Sequence, residues 1–215
     1  GRHEDPNVMY YLTVYNEPML QPAEPENVDV DGIIRGMHLV SKNSASGHKA
    51  QILASGVAIP WALEAQQLLL DWGVSADVWS VTSWTELRKD GLASDEQKFL
   101  YPNQDAPMPY VTHMLADTQG PKLGVSDFMH AVPDMIRPWV PGKYATLGAD
   151  GFGFSDTRPA ARRHFKIDGP SIAVRVLEQL VEKEKIAPEV PQQAIERYDL
   201  HNVAAGTSGS AGGDA

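Results

Sequence analysis

Residues 50–81 leave few folds open to this chain. Residues 50–56 (AQILASG) form a short apolar run closed by glycine, the mark of a buried strand. A helix follows over about 58–72: Trp61, Ala62, Ala65, Leu68, Leu69 and Trp72 fall on one face at 3.6 residues per turn. Pro60 sits in the first turn, where its missing N–H costs nothing, and Gly73 suits the C′ position. Residues 76–81 (ADVWSV) read as the next strand. A buried strand, an amphipathic helix and a second strand make a crossover unit, so the sheet contains parallel strands and the connection is right-handed.

The rest of the chain extends this pattern. Residues 122–126 and 144–147 are short strands, and helices are expected at about 157–165, 170–184 and 191–198. In the second of these, Ile172, Ala173, Val176, Leu177, Leu180 and Val181 form the inward stripe. Residues 32–40 read as a short strand or extended lead-in, 41–49 as a polar turn, and 109–115 as a strand. A helix starts near residue 82, with Ser83 three residues before Glu86 as a capping box, and 88–109 are a polar surface excursion. Residues 128–140 read as one helix with Phe128, Met129, Val132, Met135, Ile136 and Trp139 inward. The expected architecture is a three-layer α/β/α domain with a mostly parallel sheet of about five strands.

The amino-terminal part fits less well. Residues 8–15 (VMYYLTVY) are rich in β-formers and read as a strand, but 18–31 hold prolines and acids and read as a linker. A strand before a linker belongs to a sheet whose remainder lies elsewhere, so the chain is expected to be a fragment. Residues 203–215 are small and polar and are expected to be disordered.

Charge narrows the partners. The 215 residues carry 18 Lys and Arg against 28 Asp and Glu, a net charge of -10, which argues against nucleic acid. No apolar run reaches the roughly 20 residues a bilayer span requires. There is no cysteine, which excludes disulfides and thiolate metal sites and fits a reducing compartment.

The stretch 147–158 (LGADGFGFSDTR) reads as a strand end, a glycine turn and a helix start, where α/β proteins place ligands. Gly151-Phe152-Gly153 lacks the third glycine of a dinucleotide loop, so Phe152 and Phe154 are expected to pack. Ser155 or Asp156 is expected to cap the helix. Arg158, Arg162, Arg163 and His164 are the one basic cluster visible along the chain. Arg158 and Arg162 share a helix face, giving either an anion site or pairs with Asp150, Asp156 or a subunit partner. The histidines are scattered, with no metal-binding spacing. No self-contained active site emerges.

Four ordered motifs carry a resemblance: residues 10–17 (YYLTVYNE), 32–36 (GIIRG), 78–87 (VWSVTSWTEL) and 147–158 with His164-Phe165. Together they resemble the carboxyl-terminal part of bacterial homodimeric pyruvate dehydrogenase E1, and more distantly the transketolase C-terminal domain. The resemblance covers the chain to about residue 200. It implies that residues 1–17 end a preceding pyrimidine-binding domain, 18–40 are linker and lead-in, and 41–202 are the C-terminal domain. It implies a complete cytoplasmic enzyme that decarboxylates pyruvate on thiamine diphosphate with Mg2+ and acetylates the lipoyl arm of E2. The family's cofactor-binding and catalytic residues lie upstream, so none is carried onto this chain. Expected partners are the remainder of E1, a second E1 subunit and E2. The alternative is an anion-binding or E2-docking module of another 2-oxo acid dehydrogenase or a transketolase.

Overall fold

The computed structural model describes residues 9–12, 14, 23–24, 28–183 and 185–206. Five strands form one sheet: β1 (His38–Ser41), β2 (His48–Ala54), β3 (Val74–Ser80), β4 (Lys122–Val125) and β5 (Tyr144–Leu147). Their spatial order is β1-β3-β2-β4-β5; β1 runs antiparallel to β3 and the other pairings are parallel.

Alternation along the strands builds two cores. In β2, Ala50, Ile52 and Ala54 point to one face, while Leu53 points to the other. The first face packs on α2 (Ala58–Leu70), α7 (Gly169–Val181) and α8 (Val190–Arg197). The second packs on α3 (Trp84–Leu100), α4 (Tyr110–Leu115) and a 3-10 turn at Arg137–Trp139. This is the expected three-layer arrangement. Most of the α2 and α7 stripes are buried, with Leu68, Trp72 and Val181 half-buried, and Leu177 is fully enclosed. Each such side chain contributes about 1.5–3 kcal/mol. Gly73 takes φ +68 just beyond α2. The remaining helices are α1 (Val30–Arg35), α5 (Ala131–Asp134) and α6 (Arg158–His164).

Several expectations are corrected. Residues 30–35 form α1, capped by Asp29, whose Oδ1 accepts from Gly32 N at 2.9 Å, so helix replaces the end of the linker and much of the extended lead-in. Ser41 and His48 belong to β1 and β2, which shortens the polar turn between them. Ser83 caps α3 by accepting from Glu86 N at 3.1 Å, but the helix continues to Leu100, through half of the expected excursion. Its residues are good helix formers, and its buried stripe is Trp84, Leu87, Gly91 and Ser94.

The expected strand at 109–115 is α4, whose first amide, Tyr110 N, donates to Asp90 Oδ2 of α3 at 2.5 Å. The single helix expected at 128–140 is instead the short α5 and the 3-10 turn, divided around Pro133 and Pro138. Phe128 and Met129, expected inward, are exposed. At the amino terminus, Met9–Leu12 and Val14 lie exposed without strand structure, because no described neighbour offers them a ladder. Val8, Thr13 and Tyr15 lie outside the described residues. Val203–Ala205 forms a 3-10 turn rather than disorder, and the tail from 207 lies outside the described residues.

Candidate functional site

The carboxyl ends of β4 and β5 form a rim built by two loops that hold each other. Ala149 N donates to Phe128 O at 2.9 Å, and Phe128 N donates to Ser126 Oγ at 2.9 Å. Gly148 is required by this contact: a Cβ there would sit 2.6 Å from His130 N and 2.7 Å from Phe128 O. Gly151 then turns the chain with φ +93.

Asp150 closes the rim. Its Oδ1 accepts from His130 N at 2.9 Å, and its Oδ2 lies 2.6 Å from His130 Nδ1. The backbone amide first, and then the imidazole, hold the Asp150 carboxyl below its ordinary range. His130 was not visible as a site residue, because it stands 20 residues upstream on another loop.

Beyond Asp150 the rim is exposed. Phe152 is 98% exposed and packs on nothing, contrary to expectation, while Phe154 stacks on His164 with ring centres 4.2 Å apart. Phe128 and Met129, at 52% and 57% exposed, stand on the partner loop. Ser155 and Asp156 are also exposed, but neither caps α6. Thr157 does, accepting from Ala160 N at 3.4 Å, because it has the extended backbone a cap requires. Asp156 Oδ1 instead accepts from Thr157 N at 2.7 Å. With Pro159 lacking an N–H, these positions at the start of α6 offer little to an anion.

The basic cluster separates in space. Arg158 is exposed at the first residue of α6, and Arg162 lies over the Trp61 ring at 5.1 Å. Arg163 is buried, its Nε 2.6 Å from Asp168 Oδ2 and its Nη1 donating to Tyr198 O and Asp199 O. Asp168 Oδ1 also caps α7 by accepting from Ser171 N at 3.1 Å. Arg163 is thus a structural tie between α6, α7 and α8. A groove of about 650 Å3 opens beside β5, and Asp150, but neither Arg158 nor Arg162, lines it.

Among the described residues no group of three or more His, Asp or Glu side chains is placed to hold a metal ion. The residues described here therefore do not fit a Mg2+ ion. Among the described residues no helix is long and apolar enough to cross a membrane.

Three comparisons bear on this architecture. The family model for transketolase-like TK C-terminal domains matches residues 36–168. The chain is 55% identical over 205 residues to the pyruvate dehydrogenase E1 component of Mycolicibacterium smegmatis, covering 94% of this chain and 22% of that protein. It is 54% identical over 201 residues to the same-named protein of Mycobacterium tuberculosis, covering 93% of this chain and 22% of that one. The chain thus spans 22% of the length of these relatives. A solved transketolase from Pichia stipitis aligns over 76% of this chain and 20% of its own, with 17% identity and a TM-score of 0.49.

Proposed function

The chain belongs to the family of transketolase-like C-terminal domains, and from that premise we propose that it is the C-terminal structural domain of a pyruvate dehydrogenase E1 component. The complete enzyme, a cytoplasmic homodimer acting on the pyruvate of glycolysis, would decarboxylate it on thiamine diphosphate with Mg2+. It would then reductively acetylate the lipoyl group of E2. This domain supports that assembly and is inactive by itself.

The observation that carries the proposal is the match over 94% of the chain at 55% identity to one named E1 component. The rim supports it. Phe128, Met129 and Phe152 present apolar surface at one end of the sheet, as an interface centre does. Asp150, Ser155, Asp156, Arg158 and Arg162 supply a polar fringe beside it. We assign this surface to the remainder of the E1 chain or the second subunit, with E2 as the alternative occupant. Residues 1–17 are proposed to close the sheet of the preceding domain, 18–40 to link and lead in, and 41–202 to form the domain proper.

Titration calorimetry tests the proposal. Thiamine diphosphate with Mg2+ is expected to give no binding heat with the chain alone, and to bind once the amino-terminal remainder of E1 is added. Micromolar binding to the chain alone, or failure of the two pieces to associate, would count against it.

A further inference from the structure

Helix α1 is amphipathic in the reverse sense to an ordinary surface helix. Val30, Ile33 and Ile34 stand at i, i+3 and i+4 and so share one face. A surface helix turns such a face toward its own core. Here it points outward: the three side chains are 59%, 37% and 67% exposed. Gly32, on the opposite side at 3.6 residues per turn, is the one buried residue of α1. Arg35 follows on that inner side and lies over the Tyr110 ring at 4.0 Å.

Polar contacts, rather than apolar burial, hold α1 in place. Asp29 caps it, and Gly36 N and Met37 N both donate to Gly32 O, at 3.0 and 2.9 Å. Ile33 O accepts from Thr82 Oγ1 at 2.6 Å, and Gly36 O accepts from Ser83 N at 3.1 Å. A Cβ on Gly32 would sit 2.8 Å from Met37 O, so glycine permits this close approach. Six residues are too few to form a stable helix alone in water, and none of the three large apolar side chains is buried. The domain thus fixes the helix by its backbone and leaves the apolar stripe facing outward, in the spacing by which a helix anchors in a partner's groove.

We propose that the upstream remainder of the E1 chain seats on this stripe, with Val30, Ile33 and Ile34 entering an apolar groove of the preceding domain. The inference rests on the E1 reading and adds the element that makes the contact. The chain spans 22% of the length of its E1 relatives, and α1 is its first helix among the described residues. Size selects this occupant over a free one. Three side chains are far fewer than the roughly 20–30 residues a side of a stable complex between separate proteins. A partner joined through the backbone has already lost most of its translational and rotational freedom, so a small contact suffices. Tied to Thr82 and Ser83, α1 then passes the position of that partner directly to the sheet.

Hydrogen exchange in the complete E1 polypeptide tests the proposal, with the chain alone as the reference. The amides of residues 33–36 are expected to exchange about tenfold or more slowly in the complete polypeptide. Val30→Gln combined with Ile34→Gln should return them to the rate of the chain alone. The same pair should leave the melting temperature of the chain alone unchanged, because both side chains are exposed in it. Leu92→Gln, at a position 42% exposed on α3, should leave the α1 protection intact. The proposal is overturned if α1 exchanges equally fast in both proteins, if the double variant keeps its protection or lowers the melting temperature of the chain alone, or if Leu92→Gln removes the protection as well. Protection that falls on dilution would put a second subunit on the stripe and overturn it too. A complete polypeptide that fails to bind thiamine diphosphate with Mg2+ would remove the E1 reading; equal exchange in one that does bind it would remove this inference alone.

Discussion

The two faces of the sheet are packed by different means. Against α2 and α7 the core is aliphatic and fine-grained: Ala50, Ala54, Ala58, Ala62, Ala65 and Ala173 let helices approach the strands, and Ile52, Ile172 and Leu177 fill between them. Against α3 and α4 it is coarse and aromatic, built around Trp79, Trp84, Trp139, Tyr110 and Tyr144. Each of these five rings carries a polar tip, and all but Trp84 Nε1 have an acceptor among the described residues. Trp79 Nε1 donates to Gln51 Oε1 at 2.8 Å, Trp139 Nε1 to Asp95 Oδ2 at 2.9 Å, and Tyr144 Oη to Pro133 O at 2.8 Å. Two rings also press on glycines: a Cβ on Gly91 would lie 2.3 Å from the Trp139 ring, and one on Gly124 would lie 2.3 Å from Tyr144 Oη. The first face is held by a repeated pattern, the second by a few keyed contacts.

Truncation should be costly on both faces. Trp139→Ala should cost about 3–5 kcal/mol, since it removes the ring, its bond to Asp95 and the packing on Gly91. Leu177→Ala, its counterpart on the aliphatic face, should cost about 2–5 kcal/mol. Urea denaturation followed by circular dichroism measures both. A loss below about 1 kcal/mol for Trp139→Ala would mean that the aromatic face lies outside the cooperative core.

Overpacking sharpens the same contrast. Gly91→Ala should cost about 1–3 kcal/mol by driving a methyl into Trp139. Combined with Trp139→Ala it should cost much less than the sum, because the clash disappears with the ring. Additive losses would show that Gly91 matters for something other than that contact.

The smallest effect is on the aliphatic side. Burial first, and the Asp168 carboxylate second, push the Glu64 carboxyl above its ordinary value, with Arg163 opposing them. The folded chain therefore holds that proton more tightly than the unfolded chain, and ionised Glu64 costs stability at neutral pH. Glu64→Gln should melt higher than the parent at neutral pH. The gap should close as pH falls through the raised value and vanish below the unfolded one. A gap that persists in acid would show that size or hydrogen bonding, rather than charge, is responsible.

The same contrast explains what could be read from residues alone. The strands β2 to β5 announce themselves locally as short apolar or β-branched runs, and helices α2 and α7 by an apolar stripe at helical spacing. The second half of α3 does not, because Gly91 and Ser94 occupy its buried stripe and Trp139, 48 positions after Gly91, supplies the apolar mass. The β-forming run at Tyr110–Leu115 becomes α4 with its first amide held by Asp90, 20 residues away. The site divides in the same way. Asp150 could be placed at a strand end, but its partner His130 arrives from another loop. The cap fell to Thr157 because capping depends on backbone angle as well as side-chain type.

The antiparallel direction of β1 has a consequence for whatever precedes it. His38 pairs with Ser80 at the carboxyl end of β3, and just above, Gly36 O accepts from Ser83 N at 3.1 Å while Thr82 Oγ1 donates to Ile33 O at 2.6 Å. The upstream chain is therefore leashed to the end of the sheet that also presents Phe128 and Phe152. From the β1 edge to the β5 edge is four strand spacings, about 19 Å, which about six extended residues can cross. A segment carried on that leash meets the rim at an effective concentration in the millimolar range. A contact patch too small to capture a free partner is then large enough to stay occupied.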